Sequence, residues 1–408
     1  MASSTSLQRI FSSFQHPNYR LWFGGQLISL VGTWMQSTAQ GYLIYTLTGS
    51  TAYLGYISIA AGIPTWIFML YGGVIADRIP RRKLIMITQA AMMVLALALA
   101  ALVFTNTIQP WHILVLAFLL GIANAFDAPT RQSFVLELVG REDMTNAIAL
   151  NGAMFNLGII IGPSIAGVTY AAVGPAWCFL INGISFIAVI VALSLMKISY
   201  VPEKLPARNV MEDLRTGIQY VAQNRAVRSL ITNLGLMSIF GFGVVALIPA
   251  WAVEVLHGDV RVNGLLLTAR GVGSVIATLW IASRGNRRGR GKIWQLGNLL
   301  LPVFWIIFSF ISNLPLALAA IGVVGMSFIL CNNLSNSIVQ TAVPDALRGR
   351  VMAIYTMVFF GLTPVGSLLA GLAAEKFSLQ TTVLASGSIF LVIALFTFIR
   401  YPYLRRLD

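Results

Sequence analysis

Twelve apolar stretches, each close to 20 residues long and separated by short polar breaks, run the length of this chain and leave little room for anything else. They lie near residues 21–46, 53–75, 84–104, 111–130, 145–172, 176–196, 229–252, 263–283, 294–312, 314–336, 351–373 and 380–400. A helix needs about 20 mostly apolar residues to cross the hydrocarbon core of a bilayer. Inside lipid every backbone N–H and C=O must be satisfied within the protein, which restricts spanning segments to helices and closed barrels. Barrel strands alternate apolar and polar residues over about 10 positions, and these runs do not alternate. The expected fold class is therefore an all-α integral membrane protein with twelve transmembrane helices. Composition agrees: 57% of the 408 residues are hydrophobic and 10% charged, against about 45–50% and about 25% in soluble proteins.

The formal net charge of +14 would suggest nucleic acid in a soluble domain, but here placement decides its meaning. If the N-terminus is cytoplasmic, 24 of the 27 basic residues fall at inner ends and inner loops. Arg261 and Lys376 remain outside and Arg270 lies within a span. The positive-inside rule then puts both termini in the cytoplasm. No aromatic-basic surface module exists outside the spans, so nucleic acid is not an expected partner. Cys178 and Cys331 both fall in spans and suggest no disulfide framework. His16, His112 and His257 are scattered, and neither a metal set, a phosphate-cradling loop nor a Ser/His/Asp set is placeable. No enzyme activity, cofactor or metal is expected, and without an ATPase motif the energy must come from a gradient. Residues 1–20 lack the ordered parts of a removable signal peptide. Their Leu7, Phe11 and Phe14 suit a short interfacial helix instead.

The longest polar stretch divides the chain into an N-terminal six-helix bundle (1–196), a cytoplasmic linker (197–228) and a C-terminal six-helix bundle (229–408). Within the linker, Leu214, Ile218 and Val221 recur at helical spacing, as in an amphipathic helix lying on the membrane surface. A shift of 204 residues superimposes Gly121 on Gly325, Gly162 on Gly366 and Gly167 on Gly371, among nine identities in 47 positions. The basic loop after the second span also recurs after the eighth. An internal repeat predicts two related bundles around a site near the bilayer midplane.

Two motifs carry chemistry. After the second span stand Gly73, Asp77, Arg78, Pro80, Arg81, Arg82 and Lys83. Gly73 permits close helix contact, Asp77 suits a neighbouring helix N-terminus, and Arg81 and Arg82 suit an anionic leaflet. This arrangement resembles the loop motif of the major facilitator superfamily, with Pro80 where many members have Gly. In the fifth span Gly158, Gly162, Pro163 and Gly167 make a smooth face beside a missing backbone hydrogen bond. That face fits ordinary helix packing, and it resembles the family's antiporter motif except that Ala166 replaces a second Gly.

Three further stretches narrow the resemblance: Gly32 to Gln40 with Leu47 to Ser50, Ala128 to Gln132, and Pro344 to Val351. Together they are similar to the bacterial drug:proton antiporter branch that contains enterobactin exporters and macrolide efflux proteins. The resemblance implies proton-coupled efflux of small amphiphilic molecules (drugs, siderophores or metabolites) by alternating access. It names small-molecule substrate, protons and membrane lipids as partners, and a monomer as the expected state. Uptake by proton symport is the alternative within transport, and a transport-inactive scaffold or sensor the alternative outside it.

Polar groups inside lipid are costly and usually face a bundle interior. Gln26, Ser29, Thr33, Gln36 and Gln40 share one face of the first span. Asn233 lies in the seventh span, and Asn332, Asn336 and Gln340 share a face of the tenth. These amides either line a substrate cavity or bond helix to helix; the resemblance implies the cavity, because the family's first, fourth, seventh and tenth helices line its pathway. Asp77 and Asp127 are the carboxylates nearest a span interior, and Asp127 shares a helix face with Arg131. The resemblance implies an inner gate of Gly73, Asp77, Arg78, Arg81, Arg82, Asp127 and Arg131, its carboxylates acting as a charge lock or as proton carriers. Arg270 stands about 10 Å into the eighth span at 1.5 Å per residue. It either snorkels outward or attracts an anionic substrate.

Overall fold

A computed structural model describes residues 11–140, 142–197, 210–284 and 289–407, with backbone alone for 69–78 and 210. The long helices are α1 (Pro17–Thr48), α2 (Thr51–Arg78), α3 (Arg81–Phe104), α4 (Pro110–Leu138), α5 (Met144–Val173) and α6 (Pro175–Leu195). A shorter helix, Val210–Gln223, precedes the interrupted α7 (Arg225–Glu254). Then follow α8 (Val260–Arg284), α9 (Arg290–Ser309), α10 (Leu314–Ala342), α11 (Asp345–Lys376) and α12 (Leu379–Arg400). Eleven of these are long and apolar enough to cross a membrane. The other, α1, has 32 residues, about 48 Å at 1.5 Å per residue, so it falls short on apolarity and not on length. Its stripe of amides and hydroxyls is the cause. The surface supports a lipid environment: Ile399 is 75% exposed, Val392 67%, Val168 65% and Leu279 64%, which in water would be a severe liability.

Local chemistry sets the helix starts. Pro17, Pro110 and Pro175 open α1, α4 and α6, where a missing N–H costs nothing. The Asn224 side chain accepts from Ala226 N and Val227 N to cap α7, and Ser378 caps α12 through Thr381 N. His112, unremarkable in sequence, accepts from the Gln109 amide through Nδ1 at 3.0 Å and closes a capping box on α4.

The chain forms two compact units. One comprises residues 1–43 and 63–206, the other 44–62 and 207–408. In the first, Tyr19, Trp22, Ile85, Phe134 and Leu193 form a tightly buried core. Ser12–Gln15 is one 3₁₀ turn; residues 1–10, where most of the expected short interfacial helix falls, lie outside the described residues. The turn is pinned to the start of α5: Ser13 N donates to Asn146 Oδ1 at 3.0 Å, and the His16 Nε2 to Asp143 Oδ2 distance is 2.8 Å. Hydrogen bonds from Ser12 and His16 hold the Asp143 carboxyl below its ordinary value. A lowered folded-state pKa contributes stability above the unfolded carboxylate range, lost as pH falls through the folded value. Asp143→Ala should therefore raise amide hydrogen exchange across residues 11–20 at neutral pH, with the difference from the parent vanishing in acid.

In the second unit the linker helix docks on α11 through Gly217 and Asp213. Gly217 is buried, and a Cβ there would stand 2.8 Å from Ile354 Cδ1 and 3.2 Å from Arg350 O. Asp213 Oδ1 lies 2.7 Å from Arg350 Nε. Ile218, one of the apolar residues of the expected membrane-facing stripe, is exposed at 57%. The backbone seam at Gly217 and the ion pair decide the rotation, because close approach needs the smallest side chain.

The internal repeat reappears in the packing of each unit. In the first, a Cβ on Gly162 of α5 would meet Val31 O of α1 at 2.9 Å; in the second, a Cβ on Gly366 of α11 would meet Ile239 O of α7 at 2.5 Å. Thr65 of α2 donates to Gly121 O of α4 at 3.0 Å, and Gly325 of α10 lies against Arg270 O of α8. Fifth on first and fourth on second in one unit thus correspond to eleventh on seventh and tenth on eighth in the other.

Candidate translocation and gating site

Among the candidate gate residues, Asp127 on α4 is fully buried. Its Oδ1 accepts from Thr88 Oγ1 at 2.7 Å and Gln89 Nε2 at 3.1 Å, both on α3. Its Oδ2 lies 2.6 Å from Arg131 Nε, one turn along α4. The i,i+4 pairing was readable from spacing; Thr88 and Gln89 were not, because nothing local marks them as partners of a residue on another helix. An unpaired carboxylate would not tolerate this burial, and three partners from two helices explain why one persists.

Arg81 and Arg82 go elsewhere. Arg81 pairs with Glu137 of α4, and Arg82 donates to Ser194 O of α6 at 3.0 Å. The side chains of Gly73, Asp77 and Arg78 lie outside the described residues. The structure thus joins Asp127 to Arg131 and fastens Arg81 and Arg82 to neighbouring helix ends.

Gln36 and Gln40 are both buried, at 6% exposure. Gln36 Oε1 accepts from Asn182 Nδ2 of α6 at 2.7 Å, and a Cβ on Gly32 would meet Asn182 and Ser185 at 2.6 Å. This part of the α1 stripe bonds helix to helix. On α10, Asn332 O accepts from Tyr355 OH at 2.9 Å, and Gln340 donates to Asn336 Oδ1 at 2.6 Å. Asn233 is buried in α7, its Nδ2 without a hydrogen-bond partner among the described residues.

Arg270 lies about 15 Å from the start of α8 at 1.5 Å per residue, because the helix begins earlier than the sequence suggested. Its backbone is clamped: a Cβ on Gly325 would stand 2.0 Å from Arg270 O, so only Gly fits, and Ser274 Oγ donates to Gly325 O at 3.2 Å. Its guanidinium carbon sits 5.4 Å from the Phe242 ring centroid. Phe242 stacks on Phe328 at 4.6 Å, and Phe359 completes a trio at 5.9 Å and 6.1 Å from the other two. No carboxylate pairs with Arg270 among the described residues, and its buried Nε lacks a hydrogen-bond partner. A cation at this depth without a counter-charge among the described residues is costly, which makes Arg270 a candidate functional position.

Phe242 reaches Arg270 because α7 is not a plain helix. It passes from α-helix at Arg225–Leu236 through a π-helical turn at Met237–Phe242 and a 3₁₀ stretch at Gly243–Leu247 before resuming. Such interruptions recur at functional sites. The only sequence hint was the density of glycine at Gly235, Gly241 and Gly243.

Two carboxylates at span ends also went unread. Glu375 Oε2 of α11 accepts from Thr51 N at 2.8 Å, Ala52 N at 3.3 Å and Ser50 Oγ at 2.9 Å, capping α2 from another helix. Glu254, ending α7, accepts from Tyr45 OH. Each sits at a span end, where distance from the membrane interior made it look like ordinary surface charge.

The family model described as transmembrane secretion effector matches residues 8–408. This chain belongs to that family of major facilitator transporters. The transporter is 26% identical to the staphyloferrin A transporter of Staphylococcus aureus, with 90% of this chain and 92% of that one covered. It is 26% identical to the multidrug efflux pump Tap of Mycolicibacterium fortuitum, covering 90% and 91%. With the enterobactin exporter EntS of Shigella flexneri the identity is 25%, covering 96% and 93%. Among solved structures, a bacterial homolog of the lysosomal transporter Spinster matches with TM-score 0.75 at 14% identity, covering 99% and 98%. The nucleoside transporter NupG matches with TM-score 0.72 at 16% identity, covering 95% and 98%. These last two likenesses establish the fold. The transporter is a multi-pass membrane protein and not an enzyme.

Proposed function

We propose that this transporter is a proton-coupled exporter of small amphiphilic molecules in a bacterial inner membrane, working by alternating access with both termini cytoplasmic. The observation that carries the reading is Arg270, a membrane-embedded cation with an aromatic trio beside it and no protein counter-charge among the described residues. That arrangement favours a neutral or anionic cargo over a quaternary ammonium dye, since a buried lipophilic cation would call for a nearby carboxylate. The names of the relatives, a siderophore transporter, a siderophore exporter and a multidrug pump, fit such cargo. Asn233, Asn332 and Asn336 orient its polar groups. Measuring accumulation in cells with and without a proton gradient tests the direction: export requires less substrate inside when the gradient is present, and the reverse would establish uptake.

Asp127 serves in this reading as the inner lock, held by Arg131, Thr88 and Gln89. Asp127→Asn preserves size and removes the charge, so the inner side should open more often. Labelling of a cysteine placed near Arg131 by a cytoplasmic-side reagent should rise several-fold, with transport reduced. Unchanged labelling together with transport that no longer responds to pH would assign Asp127 to proton transfer instead.

A further inference from the structure

Two aromatic trios in the second unit each include one ring of α7, and they differ in how much ring surface is left to touch. Trp251, Trp305 and Phe308 are each 1% exposed. Their centroids stand 4.6 Å (Trp251 to Phe308) and 5.6 Å (Trp305 to Phe308) apart, and Trp305 Nε1 donates to Gly241 O at 2.8 Å. That trio is sealed core. Phe242, Phe328 and Phe359, from α7, α10 and α11, make comparable ring contacts, yet each is only partly buried. The open ring surface does not belong to lipid. Arg270, with its guanidinium carbon 5.4 Å from the Phe242 centroid, is likewise partly exposed and lies near the middle of the 25-residue α8. A guanidinium presented to hydrocarbon at that depth would be costly, so such side chains face a bundle interior or an aqueous space.

The internal repeat separates architecture from addition. In the first unit Trp34 comes three residues after Val31 and Phe155 seven before Gly162; in the second, Phe242 comes three after Ile239 and Phe359 seven before Gly366. Those four reference residues are the seam contacts, Gly162 on Val31 O and Gly366 on Ile239 O. The ring pairs are alike in spacing, 5.6 Å for Trp34 and Phe155 and 5.9 Å for Phe242 and Phe359. An aromatic pair beside the glycine seam is therefore common to both units. Arg270 and Phe328 are not, because 204 residues earlier stand Trp66 and Asn124. The second unit has added a cation and a third ring at one place.

The spacing of that place says what it fits. A guanidinium fork matches a carboxylate, and open ring faces and edges take another aromatic ring. The guanidinium stands 5.4 Å from one ring, and that ring 4.6 Å from the next, so a cargo engaging both groups carries its acid within about one ring spacing of its own ring. We infer that this site selects aryl carboxylates, the carboxylate pairing with Arg270 while the planar ring packs on Phe328 and Phe359. The inference rests on the cargo reading proposed above and narrows it.

Detergent-purified full-length protein would be titrated by calorimetry with naphthoate, with its fully saturated counterpart and with naphthamide. Naphthoate should bind about three- to tenfold more tightly than the saturated acid, the range that an aromatic pair adds beyond its buried area. Phe328→Leu should erase that ratio while leaving the saturated acid's affinity largely in place, and Arg270→Gln should weaken both acids several-fold without affecting naphthamide. Should Phe328→Leu fail to purify, the ratio measured on the parent protein still decides. Equal binding of the two acids, both weakened by Arg270→Gln, would overturn aryl selection and leave the anionic-cargo reading standing. Acids that bind but ignore Arg270→Gln would bring down both. The assignment is also overturned if neither acid binds, or if Phe328→Leu keeps the full ratio.

Discussion

Replacing Arg270 by glutamine should cut export of an anionic cargo by about 10- to 100-fold and leave a neutral analogue within about twofold. The estimate follows from the worth of a hydrogen bond to a charged group, about 1.5–3 kcal/mol, with each 1.4 kcal/mol a factor of ten. Glutamine keeps the first part of the apolar stem but removes both the charge and the guanidinium that stands over Phe242. Arg270→Lys separates two contributions: if charge alone matters it restores export, and if the planar fork and its stacking on Phe242 matter it restores little. Transport assays on an anionic and a neutral cargo in the same vesicles decide this. Robust efflux of an ethidium-like cation that depends on Asp127, with Arg270→Gln silent for every cargo, would sink the proposed cargo class.

That prediction stands on a residue legible in the sequence and on three partners that were not. A lone arginine in an apolar run is conspicuous because so few charges enter the spans. Phe242, Phe328 and Phe359 are invisible against a background in which 11% of residues are aromatic; only the fold, through the π-helical turn of α7, brings them together. The α1 stripe teaches the converse. Its periodicity correctly located a shared face, but periodicity cannot say what the face meets, and Gln36 meets Asn182 rather than open space. Membrane helices bury polar groups against each other as readily as against a ligand, because lipid satisfies neither. Spans, breaks and the internal repeat were readable because helix length and apolarity are local properties imposed by the bilayer. The linker helix was placed correctly from its apolar spacing, but the contacts that dock it, Gly217 and the Asp213–Arg350 pair, carry no apolar signal and were not readable.

The glycine face of α5 yields the second large effect. An ideal Cβ on Gly162 would stand 2.5 Å from Trp34 Cβ, 2.9 Å from Val31 O and 3.0 Å from Met35 N, so two of its three nearest atoms are backbone of α1 and cannot rotate away. At Gly158 the nearest atom is Trp34 Cδ1 at 2.9 Å, a side-chain ring atom that a turn of the indole can move, and the next lies at 3.4 Å. The two glycines read alike in sequence, yet only the first is held against main chain. Leucine at either position favours membrane insertion, by about 0.3–0.6 kcal/mol per residue at a helix centre, so the substitution should not lower the amount of protein in the membrane. What it should lower is transport: forcing α1 and α5 apart costs about 1–3 kcal/mol for ordinary overpacking and more where backbone is the obstacle. Gly162→Leu is therefore expected to leave about a tenth of parental transport or less at unchanged expression, Gly162→Ala an intermediate value, and Gly158→Ala nearly all of it. Gly366→Ala, whose Cβ would meet Ile239 O at 2.5 Å and Ile239 Cα at 2.6 Å on α7, should behave like Gly162→Ala, because the repeat places the same seam in the second unit. Normal transport by Gly162→Leu at normal expression, or equal losses at Gly158 and Gly162, would reduce the motif to packing that any small residue can supply.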